Sequence, residues 1–389
     1  MQEFTWYLPT KVYFGEGMIE KVGEETKKFG KRALVVTGKN SAKKTGALQK
    51  VENSLRKAGV EMVLFEGVEP NPSLETVEKG AQLIKKRECE VIVGLGGGSA
   101  MDAAKGMAIL FTNPAPLTQY FGINKVKKAP LPVVEIPTTA GTGSEVTPYA
   151  VLTDTQMEHP QKRAIGDPLL FPQVALVDPQ LTLTLPTSIT ADTGIDALSH
   201  AIEGYTSNNS QPVSDVLALK AVELLAHYLP EIMDNPENTK VRSRLLYASL
   251  LAGMVIAQTG TILVHGMSYR ITTDFGLPHG RAIGILLPWV CEFNLSANYD
   301  KFVSLARSLG ENIEGLPREE AAKKAVEGIQ KLILRLGLPQ NLKDRGIEEK
   351  TIRKFAEEVM QNKRKLASNP RPATLEDIIK IYQRALWGK

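Results

Sequence analysis

Apolar and polar positions in the first half of the chain alternate between short β-branched runs and longer amphipathic stretches. The runs predict strands, and the stretches, with apolar residues at helical spacing, predict helices between them. Strands are predicted at 32–38, 61–68, 90–99, 132–139 and 173–179, and helices at 41–59 and 73–89. Strands that alternate with helices of this length form βαβ units, so the pattern predicts an α/β domain with a Rossmann-like, mostly parallel sheet.

The pattern changes near residue 186, after which helical stretches follow one another with little strand between them. Helices are predicted at 188–207, 212–235, 241–260, 318–337 and 374–388. The sequence therefore predicts an α/β domain over residues 1–185 and an all-α domain over residues 186–389, with segment 178–186 as the hinge.

The composition limits what this chain can be. It has 389 residues, 43% hydrophobic and 23% charged, which is typical of a globular chain rather than a disordered one. A net charge of +4 from 47 basic and 43 acidic residues gives no argument for nucleic acid or an anionic membrane as partner. No signal peptide is visible, and polar residues interrupt the most apolar run, 245–264, so we expect a buried core helix there and a cytoplasmic location. The two cysteines, Cys89 and Cys291, offer no disulfide framework.

A glycine-rich segment, residues 91–109, connects an apolar strand to a helix. The three glycines at 96–98 lack Cβ atoms, so the backbone can turn sharply there and approach a ligand closely. The next helix begins near Ser99, and its free N–H groups and positive dipole end suit a phosphate. A tight turn needs about one glycine, so three favour diphosphate binding. The segment is not a P-loop, because Lys105 lies six residues beyond Ser99.

A second polar loop follows the strand predicted at 132–139. The segment IPTTAGTGSEVTP (136–148) carries Thr138, Thr139, Thr142 and Ser144 among two glycines. These hydroxyls and the exposed backbone N–H groups could bind a ribose, a phosphate or a nicotinamide amide. An ordinary Ser/Thr-rich loop is the alternative.

Asp196 and His200 stand four residues apart in an apolar, helix-like segment, GIDALSHAIE. Positions i and i+4 share one helix face, roughly 5–6 Å apart at Cβ, so the pair could present two ligands to one ion or be a helix-capping or surface pair. His265 and His279 lie in the same helical half. One carboxylate and three imidazoles suit Fe(II), Zn(II) or a similar ion, whereas hydrogen-bonded core histidines are the alternative. A structural or exposed role is expected for the histidine of a polar loop, His159, and for the one near a helix end, His227.

Four segments together resemble the signatures of the iron-containing (group III) alcohol dehydrogenases, in particular the branch of propanediol and butanol dehydrogenases and lactaldehyde reductases. They are GLGGGSAMDAAK (94–105), EIPTTAGTGSEVTPYAV (135–151), GIDALSHAIEGYTS (194–207) and LPHGRAIG (277–284). The similarity runs through nearly the whole chain. It implies a dinucleotide-binding domain followed by a helical metal-binding domain, with the ion held by Asp196, His200, His265 and His279.

The resemblance also implies a set of dinucleotide contacts and a reaction. The residues at positions that contact the dinucleotide in relatives, or lie beside it, are Asn71, Gly97, Gly98, Ser99, Asp102, Thr138, Thr139, Thr142, Val151, Lys162 and Leu181. The implied reaction is reversible hydride transfer between a nicotinamide and a primary alcohol or diol. A divalent metal would polarise the substrate oxygen, and the cofactor would supply the hydride chemistry.

Two positions depart from the family pattern. Tyr269 stands where many relatives carry a histidine proposed to assist proton transfer. The pKa of an unperturbed tyrosine is ~10, which argues against a proton relay through this residue. Water or the ribose hydroxyls could serve instead, and Tyr269 could be a wall of the substrate pocket.

The second departure concerns the choice of dinucleotide. Gly38 follows the first predicted strand, where NAD-preferring relatives tend to carry an acid that bonds the ribose 2′-hydroxyl. Lys39, Asn40 and Ser41 come next. Loss of a negative charge and the presence of a cation and polar donors favour a 2′-phosphate. The sequence therefore predicts binding of NADP(H) in preference to NAD(H).

Other functions remain open at this point. They are a lyase similar to dehydroquinate synthase, a zinc enzyme similar to glycerol dehydrogenase, and a non-enzymatic nucleotide-binding protein. The lyase would need several basic residues around the metal, and only Arg270 follows His265 closely. We expect a small alcohol or aldehyde as substrate, no nucleic acid and no membrane, and the family implies a homodimer.

Overall fold

The computed structural model describes residues 3–158 and 160–388, which separate into two compact units. One unit comprises Leu8–Leu185, and the other comprises Pro186 onward together with the described residues before Leu8. The sequence pattern predicted that those first residues belong to the α/β domain. The structure corrects this assignment, because they group with the helical unit. They belong with the helices because the N–H of Tyr7 donates to Gln258 Oε1 at 3.2 Å, while its carbonyl accepts from Gln258 Nε2 at 2.9 Å.

The first unit is built on a parallel sheet. The strands of the described residues are β1 (Lys11–Phe14), β2 (Arg32–Gly38), β3 (Glu61–Val68), β4 (Val91–Gly96), β5 (Gly122–Ile123), β6 (Val133–Pro137), β7 (Tyr149–Asp154), β8 (Gln161–Gly166) and β9 (Val174–Val177). Six of them form an all-parallel sheet in the order β1-β9-β6-β4-β2-β3, which confirms the predicted fold class. β5, β8 and β7 form a second, mixed sheet that the sequence did not predict.

Helices cover both faces of the larger sheet. They are α1 (Val22–Lys27), α2 (Ser41–Lys44), α3 (Ala47–Ala58), α4 (Leu74–Arg87) and α5 (Gly98–Thr112). Alternate residues of β2 face opposite sides: Leu34 and Val36 belong to the core beneath α4 and α5, and Val35 belongs to the core beneath α3. Because β2 is buried on both faces, its central residues 33–36 are all apolar. The single helix predicted at 41–59 is wrong, because Gly46 takes a left-handed φ of 73° and separates α2 from α3.

The strand order reverses between β2 and β4. The chain runs from β2 outward to β3, and then from β4 in the other direction through β6 and β9. Thr37 pairs with Leu95, so the carboxyl ends of β2 and β4 lie side by side. Ligands of open α/β sheets bind at such a reversal. The glycine turn (residues 96–98) and Gly38 both stand at this edge.

The second unit is helical. Its helices are α6 (Thr187–Thr206), α7 (Pro212–Asp234), α8 (Thr239–Thr259), α9 (Leu263–Phe275), α10 (His279–Asn294), α11 (Tyr299–Ser308), α12 (Arg318–Arg335), α13 (Glu349–Gln361), α14 (Lys363–Ser368) and α15 (Leu375–Trp387). The apolar run 245–264 is divided between two helices rather than forming one, because the chain bends by 108° between α8 and α9. Within the described residues no single helix is long and apolar enough to cross a membrane, although α8 and α9 taken together would pass on length and composition.

Helix α6 lies at the centre of this unit and is buried along most of its length. Two glycines allow its neighbours to approach closely. A Cβ added at Gly194 would overlap the side chain of Leu229 on α7, and one at Gly204 would overlap Val255 on α8. The polar residues of α6 are therefore held in a fixed, buried setting, which is where Asp196 and His200 lie.

Candidate metal and cofactor sites

Three imidazole nitrogens converge on one carboxylate oxygen in the helical unit. Asp196 Oδ1 lies 3.8 Å from Nε2 of His200, 3.3 Å from Nε2 of His265 and 3.6 Å from Nε2 of His279. The side chain of His279 is 26% exposed, whereas those of the other three are 6–7% exposed. We call these four residues the imidazole cluster. The structure brings together all four residues that the sequence singled out as a ligand set.

The cluster draws its side chains from three helices. Asp196 and His200 are one turn apart on the buried α6, and His265 is the third residue of α9. His200 and His265 stack with ring centroids 4.6 Å apart, and the ring of His279 stands edge-on to His265 at 5.3 Å.

The start of α10 is docked directly on α6. A Cβ at Gly280 would overlap the backbone carbonyl of Asp192, so only glycine permits this approach. Arg281 Nε also donates to Asp192 Oδ1 at 3.0 Å. Because Asp192 is one turn before Asp196 on α6, these contacts hold His279 beside the carboxylate.

Glu203 is the functional residue that the sequence argument missed. It is 1% exposed, and its carboxylate accepts a short hydrogen bond from Nδ1 of His265. It also accepts from the N–H of Ile262 at 2.7 Å, at the start of α9, where backbone donors lack helical partners. A carboxylate on Nδ1 keeps the proton there and leaves the lone pair of His265 Nε2 directed at Asp196. Ser199 Oγ holds the carboxylate in turn at 2.8 Å.

The charges of the cluster shift the ionisation of its members. Burial would raise the pKa of Asp196, but the neighbouring His200, His265 and His279 outweigh it and hold that pKa well below its usual range. Burial would lower the pKa of His265, but Glu203 and Asp196 outweigh it and raise that pKa. The carboxylate is therefore ionised at neutral pH and available as a ligand.

The donor set fits a divalent metal ion. Asp196 Oδ1 and His265 Nε2 are buried, and neither has a hydrogen-bond partner of good geometry within residues 3–158 and 160–388. One ligand atom each from Asp196, His265 and His279 lie within 4.8 Å of one another. Buried polar atoms without partners are costly, so a cation placed among them would satisfy atoms that the protein leaves unsatisfied.

The remaining histidines lie apart from the cluster, and an aromatic ring borders it. His227 is exposed on α7, as the sequence predicted, although two further turns of helix follow it. His159 lies outside the described residues. Tyr269 follows His265 by one turn, and its ring lies 6.4 Å from that of His279 between centroids, at an interplanar angle of 28°.

In the α/β unit the glycine turn meets the threonine-rich segment, which we call the hydroxyl loop (residues 138–144). The N–H of Thr138 donates to Gly96 O at 2.9 Å. A Cβ at Gly98 would come within 2.6 Å of Thr142 Cγ2, and one at Gly97 within 3.4 Å of Thr139. The two segments are therefore in contact, and the closeness of the loop excludes a side chain at Gly98 but not at Gly97.

A second set of contacts surrounds the first turn of α5. The N–H of Asn71, a residue with a left-handed φ of 57°, donates to Ser99 Oγ at 3.2 Å. Asp102 accepts from the N–H of Val151 at 3.0 Å. Burial raises the pKa of Asp102, and Lys162 is among the charges that oppose this. These predicted contact residues thus lie near one another around the turn.

The structure does not bring every predicted residue into this group. Leu181 is 4% exposed in the apolar core beside β9. Lys39 and Asn40 are exposed at the end of β2, and Ser41 opens the short helix α2. They share the sheet edge with the glycine turn through Gly38.

A parallel sheet with a glycine turn at its reversal point, in one chain with a carboxylate–imidazole cluster, is typical of enzymes that use a dinucleotide together with a metal ion. A family model described as iron-containing alcohol dehydrogenase matches residues 9–179. A second, described as the C-terminal part of the Fe-containing alcohol dehydrogenase family, matches residues 190–386.

Individual proteins are similar over the full length. The NAD-dependent methanol dehydrogenase of Bacillus methanolicus is 36% identical over 382 residues, covering 98% of this chain and 99% of the relative. The NADPH-dependent butanol dehydrogenase of Clostridium saccharobutylicum is 34% identical over 401 residues, covering 100% and 99%. The crystal structure of a 1,3-propanediol oxidoreductase superposes with a TM-score of 0.95 at 38% identity, covering 99% of this chain and 100% of that one.

The chain belongs to the iron-containing alcohol dehydrogenase family. It is therefore an oxidoreductase of the alcohol dehydrogenase class, and the family implies iron and a nicotinamide cofactor. The resemblance drawn from the four sequence segments is confirmed.

Proposed function

We propose that this protein is a metal-dependent alcohol dehydrogenase and aldehyde reductase that transfers hydride reversibly between NADP(H) and a primary alcohol or diol. The observation that carries the proposal is the convergence of three Nε2 atoms within 3.3–3.8 Å of Asp196 Oδ1. The same chain carries a glycine turn at the reversal of a parallel sheet. The family membership supports the reaction class.

In this proposal the imidazole cluster holds Fe(II), with Zn(II) as a possible replacement. When bound, such an ion acts as a Lewis acid that polarises an alcohol or carbonyl oxygen. Glu203 keeps the Nδ1 proton of His265 in place and so orients its Nε2. Burial of three of the four residues excludes competing water, and the more exposed His279 marks the side from which a substrate would approach.

The glycine turn and the hydroxyl loop would bind the dinucleotide. The first N–H groups of α5 lack helical partners and suit the diphosphate, while Thr138, Thr139 and Thr142 offer hydroxyls next to it. Tyr269, stacked near His279, would form a wall of the substrate pocket, and proton exchange would be left to water or the ribose hydroxyls.

The NADP(H) preference rests on the residues after β2. A Cβ at Gly38 would meet no atom closer than 3.6 Å, and Gly38 does not have a positive φ, so neither the backbone nor packing at the Cβ position excludes an acid there. Its absence is therefore not forced by packing. Lys43 forms an ion pair with Glu66. Lys39 has no ion pair within the described part of the chain and could bind a 2′-phosphate.

Oxidation of NADPH and of NADH with a short aldehyde such as butanal tests the proposal. The protein would be prepared anaerobically, stripped of metal, and restored with Fe(II) or Zn(II). We expect turnover only in the metal-loaded forms, with NADPH preferred. Turnover that prefers NADH would overturn the Gly38 argument alone. Absence of turnover with every small aldehyde and alcohol, in both metal forms, would overturn the reaction class.

The substitution Gly38→Asp tests the dinucleotide preference directly. Its carboxylate would repel a 2′-phosphate and accept from a 2′-hydroxyl, and a charge-assisted hydrogen bond contributes about 1.5–3 kcal/mol. We expect the NADPH/NADH ratio of kcat/KM to fall at least about tenfold. Gly38→Ala, which adds only the Cβ, is the matched control and should leave the ratio unchanged.

The lyase alternative finds little support in the residues around the cluster. It requires basic side chains free to meet an anionic carbohydrate. Arg270, the candidate from the sequence, is paired with Asp274 at 3.1 Å and with Glu358 at 3.0 Å. The homodimer and the cytoplasmic location stay predictions, and sedimentation of the purified protein would test the first of them.

A further inference from the structure

Lys105 is a fully buried lysine in the middle of α5, with 0% of its side chain exposed. A buried ammonium is costly unless its protons are all hydrogen-bonded. Four acceptors surround Lys105 Nζ and share its three protons: Ser144 O at 2.6 Å, Ser144 Oγ at 2.8 Å, Thr147 O at 3.0 Å and Tyr149 O at 3.0 Å. Its nearest carboxylate oxygen, on Glu135, is 3.8 Å away. The closest contacts of the cation are therefore the backbone and hydroxyl oxygens of one segment, and Glu135 is a more distant ion-pair partner.

A second residue of α5, Asp102, also forms hydrogen bonds with this segment. Asp102 lies one turn before Lys105, and it accepts from Ser144 Oγ at 2.7 Å and from the N–H of Val151 at 3.0 Å. Ser144 thus bridges the two charged residues of the helix. We call Asp102, Lys105 and Ser144, with the carbonyls of Thr147 and Tyr149, the Lys105 hub.

The two ends joined by the hub are the two parts of the cofactor site. Helix α5 begins at the glycine turn, and Ser144 ends the hydroxyl loop. Thr142 and Gly98 leave no space for a methyl group between them. A shift of a few tenths of an ångström would therefore change the fit between the glycine turn and the hydroxyl loop. Hydrogen bonds from one rigid helix fix that distance.

We propose that Lys105 is the positioning residue of the dinucleotide site, which sets the spacing between the glycine turn and the hydroxyl loop without touching the cofactor. This rests on the proposed function, in which these two segments bind the nicotinamide dinucleotide. Lys105 acts through Ser144, Thr147 and Tyr149, so its loss changes how well the dinucleotide fits rather than the chemistry at the imidazole cluster.

Charge balance around the hub agrees with this role. Glu135 and Glu145 are 0% and 1% exposed, and burial raises their pKa values to about 8 and about 7. Lys105 is the cation that opposes both shifts. Its ammonium therefore favours the ionised form of both glutamic acids, against the effect of burial.

The substitution Lys105→Met tests the proposal in the metal-loaded full-length protein. Methionine keeps most of the side-chain volume and removes every hydrogen bond that the ammonium makes to its four acceptors. We expect the Kd for NADPH and NADH, measured by quenching of protein fluorescence, to rise at least about tenfold. We expect kcat at saturating dinucleotide to change less than about threefold, with metal content unchanged, because the imidazole cluster is untouched.

Met107→Ala is the matched control for general damage to α5. Met107 is buried on the same helix and packs in the apolar core, where its side chain lies against Gly80 of α4. Its truncation should lower the melting temperature and leave the dinucleotide Kd within about twofold. A Lys105→Met protein that binds dinucleotide like wild type, or a Met107→Ala protein that weakens binding equally, would overturn the proposal.

Ser144→Ala decides the question if Lys105→Met does not fold. It removes the hydroxyl that bridges Lys105 and Asp102 but keeps the Ser144 carbonyl. A rise of several-fold in dinucleotide Kd, with a melting temperature near that of wild type, supports the positioning role. An unchanged Kd overturns it. Wild-type protein that binds neither NADPH nor NADH would instead remove the proposed function itself, and this inference with it.

Discussion

The imidazole cluster and the Lys105 hub both bury charged side chains, but they differ in how those charges are satisfied. In the cluster, Asp196 Oδ1 and His265 Nε2 have no hydrogen-bond partner of good geometry within residues 3–158 and 160–388. In the hub, Lys105 Nζ has four acceptors within 3.0 Å. Ligand atoms without hydrogen-bond partners can be satisfied by binding an ion. A charged group whose hydrogen bonds are all made within the protein instead forms a rigid support. We therefore expect substitutions in the cluster to abolish chemistry and substitutions near the hub to weaken cofactor binding.

The largest effect is expected for His279→Ala. A bound metal supplies several kcal/mol of transition-state stabilisation, and about 1.4 kcal/mol corresponds to tenfold in rate. We predict a fall in kcat/KM of about a thousandfold or more, with the NADPH Kd within about twofold of wild type. His227→Ala, an exposed histidine on α7, is the control and should retain full activity. Persistent turnover in His279→Ala would show that the ligand assignment is wrong.

A smaller loss is expected for Glu203→Gln. Replacing the carboxylate on Nδ1 of His265 weakens the orientation and basicity of that imidazole, and such partners affect metal affinity by about 10–100-fold. Competition with a chelator would measure the change. Ser199→Ala removes one hydroxyl contact to Glu203 and should have a much weaker effect. Equal metal affinity of Glu203→Gln and wild type would show that Glu203 does not support the metal site.

In the α/β unit, Gly98→Ala tests the contact between the glycine turn and the hydroxyl loop. The new Cβ would lie 2.6 Å from Thr142 Cγ2, and overpacking of this kind costs about 1–3 kcal/mol. We predict a rise in the KM for the dinucleotide of roughly tenfold, with kcat and metal content retained. The double variant Gly98→Ala/Thr142→Ser lacks the Cγ2 and should recover part of the loss. No recovery would mean that this contact does not set the fit between the glycine turn and the hydroxyl loop.

The smallest effect on activity is expected for Glu135→Gln, which changes the pH dependence of stability. Burial raises the pKa of Glu135 from 4.5 to about 8, and both of its oxygens lack hydrogen-bond partners among the described residues. Because the folded state favours the protonated form, its contribution to stability is present below pH 4.5 and is lost as the pH rises through 8. Glutamine does not titrate, so the variant should melt higher than wild type at pH 9 and similarly at pH 4. Parallel melting curves at both pH values would contradict the shift.

Much of the fold could be predicted from apolar periodicity. The runs at 32–38 and 61–68 are strands β2 and β3 with the predicted bounds, and α6 begins and ends within one residue of its prediction. The mixed sheet was missed although β7 alternates between buried and half-buried positions, the pattern of a strand with one covered face. The break at Gly46 depends on a left-handed turn that helical periodicity does not register.

The site could be predicted as far as residue type and spacing carry the signal. Asp196 and His200 were visible because helix geometry places them on one face. Glu203 stands three residues further along the same segment, but its role depends on the start of α9, which only the folded chain brings to it. Lys105 was considered only as a misplaced P-loop lysine. Its partners lie 39–44 residues away in sequence, so no local pattern reveals them.

The most direct test of this account is X-ray absorption at the metal edge of protein reconstituted anaerobically with Fe(II). One equivalent of iron per chain, with a first shell of nitrogen and oxygen and the outer-shell scattering of three imidazoles, is the predicted result. The His265→Ala protein should lose that signal. Iron that binds substoichiometrically, or a first shell without imidazole scattering, would contradict the central claim that Asp196, His200, His265 and His279 form one metal site.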